Sequence, residues 1–502
     1  MTRFHETQLR ITAVLIILFL SAAGIYSQTT GQTGSNRVSL PNGWHLSPVG
    51  KMLPAGDLPL NIAISPTGKL AAVTNNGQSD QSIQLINVKK GVVTDAVEIG
   101  KSWLGLAFSD DGKSLYASGG NDNMIIIYSV KGEKLIARDT IVIGKPWPEL
   151  ISVAGLAVDN SRNRLYTVTK ENNSLYVIDL NTRNIISTHP LGGEGYTCIL
   201  SPDKKTLYAT CWGCDKVIIF DTVLGRITGE IAVGDNPNDM CITADGKYLF
   251  VANANDNNVS VIDATALKVI ETLNTALYPD APTGSTTNSV ALSADNKTLF
   301  IANADNNCLA VFDVSKPGAS KSRGFIPTGW YPTCVRTAKD KILIANGKGL
   351  TSKANPYGPD PTRRGNVVIY HEGGREQRTK EQYIGGLFWG TIGILSLPDD
   401  KQMGIYSKAV YDNTPYSKKN ELVAEGEPGN PIPSRVGDPS PIKYIFYVIK
   451  ENRTYDQVLG DMPEGNGDPE LALFGEKITP NHHALAREFV LLDNFYVNGE
   501  VS

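Results

Sequence analysis

The chain has little of what long helices, nucleic-acid surfaces and membrane spans require. Only 6 of its 502 residues are Met, against 48 Gly, a balance that favours many turns and few long helices. Formal net charge is −4, with no block of like charges. A Lys/Arg cluster that would make a basic face is missing, so a nucleic-acid partner is not expected. The longest apolar run, Ile11–Leu20 broken only by Thr12, falls short of the ~20 residues that cross a bilayer. Preceded by a short charged region between Arg3 and Arg10 and followed by Ser21-Ala22-Ala23-Gly24, it has the parts of a secretory signal peptide over residues 1–27. Export to the periplasm or the extracellular space is expected, with no stable membrane span after cleavage. The 6 cysteines (Cys198, Cys211, Cys214, Cys241, Cys308, Cys334) do not have the spacing of a small disulfide-stapled domain.

What fills most of the chain is a repeat. Leu70-Ala-Ala-Val, Leu115-Tyr-Ala-Ser, Leu165-Tyr-Thr-Val, Leu207-Tyr-Ala-Thr, Leu249-Phe-Val-Ala, Leu299-Phe-Ile-Ala and Ile342-Leu-Ile-Ala share one pattern. Most follow a turn such as Ser109-Asp-Asp-Gly-Lys or Thr243-Ala-Asp-Gly-Lys, which supplies the residues β-turns need. Several precede a second polar turn and another alternating strand, as in Asp256-Asn-Asn then Val259–Asp263. Short strands recurring at a period of ~40–50 residues predict β-propeller blades. Seven copies predict seven blades over residues 38–398, in a mainly β chain. Ring closure needs paired end strands, for which Val38–Met52 and Gly390–Leu397 are the candidates. The repeats Leu249–Asp263 and Leu299–Asp313 resemble the YVTN family of propeller repeats.

Other features inside the repeats read two ways. Cys211-Trp-Gly-Cys214 looks like a redox or metal pair, but it aligns with a hairpin turn and has no second pair to complete a tetrahedral zinc site. A turn with a local disulfide is the simpler reading. The Asn/Asp triplets fit turn positions that need positive φ better than calcium ligation. Trp103, Trp147, Trp212 and Trp330 are candidates for a ligand mouth or for packing between blades.

Residues 399–440 read as a connector. A helix is expected over Asp399–Asp412, stopped by Asn413-Thr-Pro. A Pro/Gly-rich crossing follows.

From residue 441 the pattern changes. Tyr444–Ile449 is apolar, aromatic and β-branched, which predicts a buried strand. Glu451 and Asn452 follow its end, where a carboxylate and an amide can offer oxygens to one metal ion. Arg453 could hold an oxyanion of substrate, or simply pair with Glu451 on the surface. Thr479-Pro480 opens a helix through about Glu488. Its adjacent His482 and His483 point about 100° apart and do not easily share a metal. Phe489–Asp493 reads as a second buried strand.

Lys450-Glu-Asn-Arg-Thr-Tyr-Asp456, Gly465-Asn-Gly-Asp468, Thr479-Pro-Asn-His482 and Leu492-Asp-Asn-Phe-Tyr496 resemble the opening of the phosphoesterase family related to acid phosphatases and bacterial phospholipase C. That family has an alkaline-phosphatase-like α/β fold. The resemblance implies that residues 441–502 are the first elements of such a domain, acting on a phosphate-ester substrate with a divalent metal ion. It implies metal-binding roles for Glu451 and Asn452 and a nucleophilic role for Ser502. The further ligands such a domain needs have no counterpart here, so a C-terminally shortened and inactive copy is expected. The alternative is a non-enzymatic propeller that binds a ligand or a protein and carries a vestigial C-terminal segment.

Overall fold

A computed structural model describes residues 37–495, except 41, 352–354, 356, 359–367, 373–374, 380, 418–421, 424–425 and 494. The expected signal peptide and Ser502 lie outside the described residues.

Seven four-stranded antiparallel sheets follow one another along the chain. The seven repeated segments form the second strand of each: Leu70–Asn75, Ser114–Ser118, Arg164–Thr169, Thr206–Cys211, Tyr248–Asn253, Thr298–Asn303 and Lys341–Gly349. These strands are buried on both faces, as in the five consecutive buried residues of Leu207–Cys211. Sheets packed face to face require that, and it explains why the segments are continuously apolar rather than alternating. The outermost strands alternate instead, as in Arg226–Ala232. First strands of successive blades touch one another around a closed ring, Trp330–Ala338 of blade 7 meeting Pro59–Ile64 of blade 1. The centre of that ring is the channel.

The turns explain the period. In five blades a Ser or Thr hydroxyl begins the turn before the second strand. Ser109 donates to Asp111 at 2.7 Å and accepts from Ser114 N at 2.9 Å. Ser201, Thr243 and Ser293 do the same with Asp203, Asp245 and Asp295. These hydrogen bonds, then those from the backbone amides, hold the four carboxyls below the usual carboxylate range. The later hairpin places Asn123, Asn173, Asp215, Asn257 and Asn307 at φ between 50° and 54°. The Asn/Asp triplets are therefore turn residues, in the left-handed region that Asn and Asp tolerate.

Blade 7 closes the ring with the expected Gly390–Leu397 segment, which forms the strand Trp389–Ser396, but with a different partner from the one expected. Its outer strand is Lys51–Asp57, paired with Trp389–Ser396, with Leu53 opposite Ile392. Val38–Ser39 instead folds back on His45–Leu46. The candidate Val38–Met52 thus contributes only Lys51 and Met52 to the closure. A hairpin, Val368–Glu372 with Arg375–Thr379, is inserted between the second and third strands of this blade.

The helix Asp400–Asn413 forms with a capping box between Asp399 and Gln402. It lies along Lys321–Pro327, the outer strand of blade 6, and shields that strand's edge. Arg323 pairs with Asp400 at 2.6 Å, Ser407 Oγ accepts from Phe325 N, and Tyr411 donates to Leu277 O. Met403 and Val410 are buried beneath it.

Beyond Ser396 the expected α/β sheet is not formed among the described residues. Their one β pairing there is an isolated bridge between Val423 and Arg435. Tyr444–Ile449, expected as a buried strand, lies between 75% and 90% exposed and has no strand partner. Phe489–Asp493, the second expected strand, is irregular, with Phe489, Val490 and Leu492 exposed. Composition marks both runs as strand-forming, but a strand exists only where a neighbour takes its backbone hydrogen bonds. The helix Pro480–Glu488 is present with Thr479 before it. The Thr479 hydroxyl, however, donates to Phe474 O at 2.6 Å rather than capping the helix.

The helix on blade 6 fits only because residue 324 is Gly. Its φ is +105°, and a Cβ there would stand 2.1 Å from Ser407 Oγ. Gly324→Ala is expected to destabilise the protein by about 1–3 kcal/mol in chemical denaturation, combining overpacking with left-handed strain.

Candidate functional site

The channel wall carries a charged pair, Arg336 and Asp239, set among uncharged polar and apolar residues of the inner strands. Arg336 sits in the inner strand of blade 7, after the buried Cys334 and Val335. Its Nη1 donates to Asp239 Oδ2 at 2.6 Å and to Ser289 Oγ at 2.9 Å. Its Nη2 donates to Asp239 Oδ1 at 3.2 Å and to Asn61 Oδ1 at 3.0 Å. One guanidinium of blade 7 therefore ties together blades 5, 6 and 1. Asp239 also accepts from Ser289 Oγ at 2.6 Å and from Val290 N at 3.2 Å. Asn61 donates onward to Leu104 O of the next blade at 2.6 Å.

Burial opposes the charge on Arg336, but the adjacent Asp239 outweighs it and raises the guanidinium above its already high ordinary value. The guanidinium stays charged at any ordinary pH. The members of the pair are mutually neutral and multiply hydrogen-bonded, which is the condition under which a buried pair is tolerated.

Beside this network the channel opens into a cavity of about 480 Å³. Ile64, Ile199, Ile242 and Leu292 give it half-buried apolar side chains, and Thr197 and Thr337 add hydroxyls. Its size and mixed lining suit a small molecule. Cys198 and Cys241 also border it. Burial pushes the Cys198 thiol up to about 12 and that of Cys241 higher still, so neither is a thiolate nucleophile at neutral pH.

On the far side of the ion pair, Asn238 donates to Asn288 Oδ1 at 2.7 Å, and Asn288 donates to Thr333 O at 3.1 Å. Asn238 Oδ1 is buried without a hydrogen bond among the described residues. Cys211 and Cys214 are joined as a disulfide, in the turn expected for them. Trp103 packs against the core between blades 3 and 4, whereas Trp147 is 66% exposed.

The residues selected from sequence lie elsewhere. Glu451, Asn452 and Arg453 are adjacent and exposed. Arg453 does not pair with Glu451. It lies 5.2 Å from the Phe474 ring centroid and donates to Asn452 O. His482 contacts Lys450 Nζ at 2.6 Å. His483 is buried and bonds Asp461 at 2.8 Å. Burial alone would lower His483, but the Asp461 hydrogen bond and then the Thr479 carbonyl outweigh it and raise it. No group of three or more His, Cys, Asp or Glu able to hold a metal occurs among the described residues.

Sequence reasoning missed Arg336, Asp239, Ser289 and Asn61. The one available signal is an Arg inside an apolar inner strand, and its partners are 47 to 275 positions away.

Seven closed sheets and a ring of inner strands decide the architecture. The chain contains a seven-bladed β-propeller. Its sequence matches the family described as lactonase, 7-bladed beta-propeller, over residues 156–272 and 197–349. Antigen Lp49 of Leptospira interrogans is 29% identical over 180 residues, 31% of this chain and 37% of that protein. The uncharacterized protein YncE of Salmonella typhi is 31% identical over 177 residues, 34% of this chain and 47% of its own. The seven-bladed beta-propeller protein Rv1057 of Mycobacterium tuberculosis is 27% identical over 138 residues, 26% of this chain and 33% of its own. The matches thus span less than half the length of these relatives. Among solved structures, hydrazine synthase of Kuenenia stuttgartiensis aligns with a TM-score of 0.50 at 19% identity, over 59% of this chain and 94% of that one. U3-55K aligns with a TM-score of 0.52 at 13% identity, over 69% and 98%. At such identities these structures speak for the fold alone.

Removing the guanidinium strands a buried carboxylate. Arg336→Met is expected to cost about 3–5 kcal/mol in urea denaturation, and adding Asp239→Asn to recover more than about half of it. Equal loss in the single and double variants would show that charge isolation is not the cause.

Proposed function

We propose that the chain is a binding propeller whose channel cavity takes a small, uncharged ligand. The observation that carries this reading is the saturated Arg336–Asp239 pair at the edge of the 480 Å³ cavity. The pair is electrically neutral and its donors and acceptors are engaged, so a charged ligand would enter without a counter-ion. The lining mixes hydroxyls such as Thr197 and Thr337 with Ile and Leu side chains, and burying the apolar part of a ligand against the latter is favourable at ~25 cal/mol per Å². The matched relatives, an antigen and propeller proteins whose names state no reaction, are compatible with a binding role. The leader-like residues 1–27 support an exported protein.

The uncharged fluorescent probe N-phenyl-1-naphthylamine tests this. It is expected to bind the full chain at one saturable site. Thr197→Trp, which fills the cavity, is expected to weaken binding by at least about tenfold while leaving the propeller folded. Unchanged affinity in that variant would place the probe elsewhere, for instance on the exposed Tyr444–Ile449.

A second reading is metal-dependent phosphate-ester hydrolysis centred on residues 441–502. It is supported by the motif resemblance and by Glu451, whose carboxylate forms no ion pair among the described residues and stands beside Asn452 and Arg453. On this reading Glu451 and Asn452 hold a divalent metal, Arg453 meets the phosphate ester and Ser502 is the nucleophile. Titration of the chain with Mn²⁺ tests the metal role directly. Glu451→Gln is expected to weaken binding by at least about tenfold, and superimposable isotherms would remove Glu451 from it.

A further inference from the structure

Trp330 and Tyr331 open the inner strand of blade 7, at the end away from Arg336 and the cavity. At about 3.3 Å per residue, Tyr331 and Arg336 stand roughly 15–20 Å apart along that strand. Phe388 follows the short 3₁₀ turn Ile384–Leu387 and leads into the blade's third strand. The Trp330 and Phe388 rings meet edge to face, with centroids 5.5 Å apart and planes at 88°. Lys348, near the end of the second strand, brings its ammonium to all of them. Its Nζ lies 5.5 Å from the Trp330 centroid, 4.9 Å from Tyr331 and 5.7 Å from Phe388.

Backbone strain helps to set this arrangement. Tyr331 has φ of +63°, a region a bulky side chain enters only when its surroundings impose it. The amide of Tyr331 donates to Asn307 Oδ1 of blade 6 at 2.9 Å, which anchors the strained residue. The three rings and Lys348 are all half-buried.

We propose that Trp330, Tyr331 and Phe388 form an aromatic cage for a small trimethylammonium compound, with the Lys348 ammonium as its tethered occupant. One cation over one ring is a common surface contact, but three rings around one cation is the geometry that recognises quaternary ammonium groups. A primary ammonium is a compact, strongly hydrated charge and gives up water to sit among ring faces. A trimethylammonium head is larger and weakly hydrated, has no N–H donors to satisfy, and touches each ring with its methyl groups. The four-carbon stem of Lys348 is flexible and its charge strongly hydrated, so a trimethylammonium group can compete with it for the ring faces.

Choline, titrated into the full-length chain and followed by Trp fluorescence and calorimetry, tests the cage. Wild type is expected to bind weakly, because Lys348 competes. Lys348→Ala is expected to bind on the order of tenfold more tightly. The uncharged isostere 3,3-dimethylbutanol is expected to bind that variant at least about tenfold more weakly than choline. Lys348→Gln, which keeps the stem and removes the charge, serves if the alanine variant does not fold, and the same gain is expected. The proposal is overturned if neither variant gains affinity, or if the alcohol binds as well as choline. Pelleting with phosphatidylcholine vesicles while free choline gives no response would also overturn it, since that result assigns the head group to a lipid surface.

Discussion

The structure depends on one strand. Lys51–Asp57 is the outer strand of a blade whose other three strands lie nearly three hundred residues or more further on. A ring of sheets leaves an edge until its first and last blades are joined, and an unpaired edge is both unstable and sticky. Here Leu53 against Ile392 supplies the apolar half of the closure, within a core that also holds Ile62, Val73 and Leu343. Everything at the channel presupposes this ring, because Arg336 of the closing blade reaches Asn61 of the first blade across the same seam.

That seam makes the polar network more than a local contact. A guanidinium shared among blades 5, 6, 7 and 1 fixes how those inner strands sit around the axis. The ion pair is a weak source of net stability, since desolvating two charges offsets most of their attraction. Its effect is one of geometry: it holds one edge of a cavity of mixed lining. The aromatic cluster at the other end of the same strand is held by packing and by the strained Tyr331. Two unlike surfaces are thus presented by one strand, Trp330–Ala338.

Much of the fold is legible in the sequence because it is local. Ser109-Asp-Asp-Gly-Lys folds its turn with its own hydroxyl and carboxylate, and Asn257 adopts its left-handed turn within one hairpin. Such units recur, so seven blades can be counted. The closing strand was harder to place, because Lys51–Asp57 belongs to no repeat and is defined only by its distant partner. Tyr444–Ile449 shows the converse. Its composition suits a strand, yet no neighbour among the described residues supplies the hydrogen bonds that make one, and its side chains stand exposed. The channel network was not legible, because Arg336, Asp239, Ser289 and Asn61 meet only when the ring closes. Glu451, Asn452 and Arg453 do lie together, but on an exposed segment with no third metal-binding group beside them among the described residues.

A crystal structure of the chain with an uncharged apolar probe bound tests the central claim most directly. The account predicts one molecule in the channel, against Ile64, Ile199 and Ile242, with the Arg336–Asp239 pair intact beside it. An empty channel with the probe on the exposed run Tyr444–Ile449 would contradict it.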